Sequence, residues 1–200
     1  MKPGTSLLHR LARAISVAGH PLLTLSLFSV YVAFQQLPLP DALMVSGLLV
    51  GGVALPVSWH NYRKVRRGQY TNFDVSDRRQ RAGFYPVLIA LVAVVAGLLV
   101  LTGQPRPFWY GALCMLGLLV GSSVVNRFLK VSLHTSLSFY LAAAMYLLNP
   151  ILGLGMAGLA ALVGASRVVL GRHTLPEVLV GVLMGLGAGA GFYGLVAAWR

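Results

Sequence analysis

The chain has 200 residues, 57% of them hydrophobic and only 10% charged, with a formal net charge of +12 and a mean hydropathy of +0.77. So little polar surface cannot clothe a water-soluble domain, which leaves an integral membrane protein. A lone cysteine, Cys114, excludes an internal disulfide framework and a cysteine metal site.

Seven apolar stretches follow one another, at about 20–37, 41–58, 84–103, 107–126, 135–149, 150–166 and 174–198. The first has no small-residue cleavage pattern and reads as a membrane helix rather than a signal peptide. A span takes about 20 residues, so the fifth and sixth stretches are short. They are expected to tilt, to thin the bilayer, or to form a helical hairpin joined at Asn149-Pro150; in each case both ends return to one side. In the last stretch the spacing of Gly181 and Gly185 predicts close approach of a neighbouring helix. The expected fold is all-α, a polytopic transmembrane bundle of about six to seven membrane helices making one domain over 1–200.

With seven spans, Lys2, Arg10, Arg13, the seven Lys/Arg from Arg63 to Arg81, Arg127, Lys130, Arg167 and Arg172 share one side, while Arg106 and Arg200 lie opposite. That imbalance predicts the richer side to be cytoplasmic. Because the same rule accounts for the cations at the membrane boundaries, a nucleic-acid partner is not expected despite a pI near 10.7.

Three polar clusters interrupt the apolar sequence on that side. The first, 61–81, opens with a basic patch from Arg63 to Arg67, suited to anionic headgroups. It continues with Asp74, Asp77, Arg78 and Arg81, whose spacing predicts one polar stripe on a helix. The stripe reads either as an ion-pair network at the interface or as Arg78 and Arg81 facing an anion while the aspartates hold their guanidinium groups. In the second cluster Lys130, Ser132 and His134 alternate, so an extended segment would point all three one way, toward a helix N-terminus able to receive a phosphate. Thr135 and Ser136 are expected to cap that helix.

The third cluster holds Ser166, Arg167, Arg172, His173 and the chain's only glutamate, Glu177. Thr174 to Glu177 reads as a capping box with Pro176 in the first turn, a role compatible with Glu177 also reaching His173. Two histidines, several cations and a carboxylate suit phosphoryl transfer. A neutral histidine attacks phosphorus, cations neutralise the oxygens, and a second histidine protonates the leaving group.

Ser166-Arg167, five residues, His173, three residues and an acid resembles the third signature of the type 2 phosphatidic acid phosphatase and vanadium haloperoxidase superfamily. Lys130 to Thr135 is similar to its second signature, with Leu133 in place of a glycine. The first is matched only loosely, with Arg78 or Arg81 standing for its cations and Pro86 displaced; Glu177 stands where the third has Asp. The resemblance covers about 74–198. It extends to a branch with an Asp-Arg-rich first motif and an extra helical pair before the second.

The resemblance implies His173 as nucleophile, Glu177 as its orienting acid and His134 as general acid. It implies Lys130, Ser132, Arg167 and Arg81 or Arg78 as phosphate ligands, with no metal or other cofactor. The implied activity is hydrolysis of a membrane lipid phosphate or isoprenyl diphosphate. Two other readings stand beside it. One is a catalytically diverged lipid-binding or structural membrane protein; the other is a polyprenyl transferase holding Mg²⁺ on Asp74 and Asp77.

Overall fold

The computed structural model describes residues 6–199, all helices and loops with no strand. Lys2 and Arg200, used in the charge count, lie outside the described residues. The elements are α1 (Leu7–Ala18), α2 (Pro21–Gln36), α3 (Leu39–Leu49), a π turn (Val50–Ala54), α4 (Leu55–Arg66), α5 (Arg81–Leu101), α6 (Arg106–Val125), α7 (Leu133–Leu148), α8 (Pro150–Val169) and α9 (Leu175–Trp199).

Among the described residues five helical segments are long and apolar enough to cross a membrane, and a sixth is obtained if α1 and α2, which meet at 45°, count as one broken span. The 16-residue α7 is a shorter apolar helix packed inside the bundle. The protein is therefore a multi-pass, all-α membrane bundle. The second span is longer than the sequence suggests: Leu39–Arg66 runs as one 28-residue helix. Pro56 has no N–H for the helical ladder, and the π turn just before it absorbs the break. The basic patch thus ends a helix, where cations meet the negative end of the dipole.

Small residues decide how α7 sits. Gly181, Gly185 and Gly189 are buried on one face of α9. A Cβ on Gly181 would lie 2.9 Å from the Ser132 carbonyl oxygen, and side chains at Gly185 and Gly189 would run into Ser136 and Ala143. The start of α7 is thereby held against the start of α9, and the backbone N–H of Ser132 donates to the Glu177 carbonyl at 3.3 Å. In the same way Gly164 of α8 leaves room for Val178 and Thr135.

Candidate active site

Loops 67–80, 126–132 and 170–174 and the break between α1 and α2 meet at one end of the bundle. The expected helical stripe over 74–81 is not formed: helix α5 starts only at Arg81, and 71–80 is loop. Val75 has φ 48° and is 1% exposed. A β-branched residue in the left-handed region is strained. The turn is held by Asn72, whose Oδ1 accepts from the N–H and hydroxyl of Ser76 at 3.1 Å. This turn sends the Asp74 carboxylate inward and offers the Val75 carbonyl to Arg81 Nε at 2.9 Å.

Asp74 does not hold Arg78 and Arg81. Its Oδ2 accepts from Arg167 at 2.9 Å and pairs closely with Arg172, and its Oδ1 lies 3.4 Å from His20 Nε2. Burial alone would push its carboxyl up, but hydrogen bonds from His20 and Arg167 and the nearby His134 hold it well below the usual range. Asp77 serves the backbone, accepting from the N–H groups of Arg79 at 2.7 Å and Gln80 at 3.3 Å. Arg78 donates to the carbonyls of Asn126 and Arg127, satisfying the end of α6. Its guanidinium is spent there, so of the two arginines only Arg81 is brought to His173.

His173 is 5% exposed, between α8 and α9. Its Nδ1 lies 2.9 Å from Glu177 Oε2 and its Nε2 lies 3.3 Å from the Arg81 guanidinium. A guanidinium only donates, so Nε2 must accept, and the ring proton is on Nδ1, given to Glu177. Burial first, then Arg81, Lys130 and Arg167, push the imidazole down to about 2. It is a neutral ring whose lone pair is on Nε2. The same Glu177 oxygen accepts the Thr174 N–H at 3.2 Å, so capping the helix and holding the histidine are one arrangement.

Arg81 is 2% exposed and also donates to the Val131 carbonyl. Lys130 donates from Nζ to the Arg172 carbonyl at 2.6 Å; burial lowers it, and Glu177 opposes that shift. Ser132, rather than Thr135 or Ser136, is the N-cap of α7. Its hydroxyl lies 2.9 Å from the Thr135 hydroxyl and its carbonyl accepts the Ser136 hydroxyl at 3.0 Å. The alternation of Lys130, Ser132 and His134 therefore ends at Ser132, because the helix begins at Leu133. His134, in the first turn, is 5% exposed, and its Nε2 has no hydrogen-bond partner. That atom lies 3.8 Å from Asp74 Oδ2.

Arg167 is wholly buried. One nitrogen reaches Asp74 and the Ser16 hydroxyl at 2.8 Å, while Nε and Nη2 have no partner. Buried donors of this kind are rare in proteins, and a cluster of them matches an anion. Two contributors escaped the sequence reading. His20 caps α2 by accepting the Leu22 N–H at 3.2 Å on Nδ1, which leaves its Nε2–H for Asp74. Ser16 lies one turn before it. The available signal was a histidine directly before the proline that opens the first apolar stretch. Arg172 was seen in the third cluster without a role.

His20, Asp74 and His134 are the one group of at least three donors among the described residues close enough to share a metal ion. Two guanidinium groups already neutralise Asp74, and His20 Nε2 carries the ring proton, so the set fits a cation poorly. Asp74 and Asp77 point to different partners and do not form the paired carboxylates that a Mg-diphosphate site needs.

A family model, the PAP2 superfamily, matches residues 81–200. That region starts at Arg81 and takes in the second and third signatures. Comparison with curated proteins and with solved structures finds no match.

Proposed function

The chain belongs to the PAP2 superfamily, whose activity is of the phosphatase type, and on that premise we propose that it is a metal-independent phosphatase of a lipid phosphate or isoprenyl diphosphate working through a phosphohistidine. The observation that carries the reading is the tautomer of His173, fixed by Glu177 on one side with the Nε2 lone pair beside Arg81 on the other.

In this reading Nε2 attacks phosphorus as the bond to the leaving oxygen breaks. The ring becomes cationic, and the Glu177 carboxylate stabilises it. Arg81, Lys130 and the unpartnered nitrogens of Arg167 take the phosphoryl oxygens, where charge builds in the transition state. His134, supported by the negative charge of Asp74, delivers a proton to the leaving oxygen and then takes one from the water that opens the P–N bond. Ser132 acts through the cap that sets this end of α7. The excess of cations at this end of the bundle supports a cytoplasmic orientation of the site.

The test is phosphate release by detergent-purified protein from phosphatidate, farnesyl diphosphate and undecaprenyl diphosphate with EDTA present. Release is expected to persist in EDTA and to fall by about a thousandfold or more in His173→Ala. No release from any of these lipids, with the protein folded, would overturn the reading in favour of a non-hydrolytic lipid binder.

A further inference from the structure

The outer face of α4 changes chemistry along its length. Pro56, Trp59, His60, Arg63, Lys64 and Arg67 recur at three- and four-residue spacing and line, with Val87 and Leu91 of α5, an open groove of about 420 Å³. From Pro56 to Arg67 the chain rises about 16 Å. The order is apolar side chains first, then an aromatic ring, then three cations. A phospholipid runs through the same order, from acyl chain through the interface, where tryptophan is favoured, to a charged headgroup.

The three cations have no counter-charge within the chain. Among the described residues every ion pair is made by Asp74 or Glu177, and none reaches Arg63, Lys64 or Arg67. The Arg63 guanidinium lies over the Trp59 ring, 5.8 Å from its centre, a contact that fixes it beside the groove. Arg66, which does not line the groove, donates to the Tyr62 hydroxyl at 3.1 Å. The end of α4 offers about half a negative charge from its dipole, and three whole positive charges outweigh it.

We propose that this groove binds an anionic phospholipid, with the headgroup phosphate on Arg63, Lys64 and Arg67 and an acyl chain along Pro56, Val87 and Leu91. A zwitterionic lipid brings its own cation among these three, so net headgroup charge sets the choice. Occupancy also bears on the loop that carries Asp74, because the last turns of α4 hold that loop. The Lys64 carbonyl accepts the N–H groups of Gln69 at 2.9 Å and Tyr70 at 3.2 Å. The Tyr70 hydroxyl lies 3.3 Å from His60 Nε2, and Asn61 Nδ2 donates to the Phe73 carbonyl at 3.0 Å. A lipid that holds the end of α4 therefore steadies the loop fastened to it and raises Tm.

The experiment uses the full chain in detergent with Trp109→Phe and Trp199→Phe, which leaves Trp59 as the one tryptophan. The replaced rings lie at the opposite end of the bundle, in the first turn of α6 and at the last residue of α9. Phosphatidylglycerol or phosphatidylcholine brominated on its acyl chains is titrated in, and Trp59 emission and Tm are followed. Half-quenching is expected at about a tenfold lower mole fraction of the anionic lipid, with a saturable rise in Tm. Arg63→Gln/Lys64→Gln/Arg67→Gln should abolish the preference. Arg10→Gln/Arg13→Gln/Arg127→Gln, which removes as much charge from exposed positions on α1 and after α6, should keep it. Equal quenching by the two lipids would overturn the proposal, as would a preference kept in both triple variants or lost in both. No quenching by either lipid, the result if another protein chain covers the groove, would overturn it too. None of these readouts needs turnover, so the outcome stands apart from the phosphatase reading.

Discussion

His173 and His134, at the polar end of the bundle, both stand near a carboxylate, yet the two carboxylates do different work. Glu177 gives one oxygen to one imidazole and one backbone N–H, and this fixes which nitrogen of His173 carries the proton. Asp74 is shared among Arg167, Arg172, His20 and, at 3.8 Å, His134. It fixes no single tautomer; it holds cations from distant parts of the chain in one place. An acid paired with one base tunes chemistry, whereas an acid shared by several cations builds the site.

The sharpest way to break that contrast is Asp74→Ala. Two guanidinium groups, one of them wholly buried, would lose their counter-charge, and the expected cost is about 3–5 kcal/mol of stability. It is read as a large drop in Tm in detergent. Combining it with Arg167→Met should recover part of the loss, because the stranded charge leaves with its partner. A small effect for the single variant would show that Asp74 is not the organising group.

Glu177→Gln tests the other carboxylate. The amide oxygen can still accept from Thr174 and His173, so Tm should change little, but no negative charge remains to stabilise the cationic ring. A fall in kcat of about a hundredfold with KM nearly unchanged is the expected result. A drop in Tm with kcat intact would make Glu177 a cap and nothing more.

The smallest effect is in the pH dependence of stability. His173 is pushed down to about 2 from an ordinary value of 6.5, and Asp74 is held below its ordinary 3.8. In both cases the unfolded chain binds the proton more readily. The stabilisation is therefore complete above pH 6.5 and is lost on acidification, first through His173 and, below pH 3.8, through Asp74 as well. Tm should fall between pH 6.5 and 4.5, with His173 contributing the equivalent of up to about 1.4 kcal/mol per pH unit. His173→Gln should flatten that limb. A Tm that rises over the same interval would mean that Glu177 keeps His173 charged, contrary to the acceptor role of its Nε2.

Much of the fold was legible because membrane spans are written in local composition. A run of about 20 apolar residues is a helix wherever it packs, since lipid offers its backbone no other partners. Boundaries were less legible where polar residues extend a helix, as from Asn61 to Arg66, or where a short amphipathic helix such as α1 precedes the apolar run. The third cluster was readable for a related reason: His173, Thr174 and Glu177 lie within one turn, so spacing alone brings them together. The partners of Asp74 were not readable. They come from the break between α1 and α2, from α7, α8 and the loop after α8, and no periodicity along 74–81 points to them. The helical stripe expected there failed because Val75 takes a left-handed conformation and the chain stays in loop until α5 begins at Arg81.

By itself, then, the sequence determined an all-α membrane bundle, the location of its polar end, and the histidine-glutamate pair that local geometry could not keep apart. Only the tertiary structure decided that Arg81 and not Arg78 faces His173 and that His20 joins the site. Those outcomes depend on how closely α8 and α9 approach α7 through their glycines, a quantity set by packing in three dimensions rather than by any residue's neighbours in the chain.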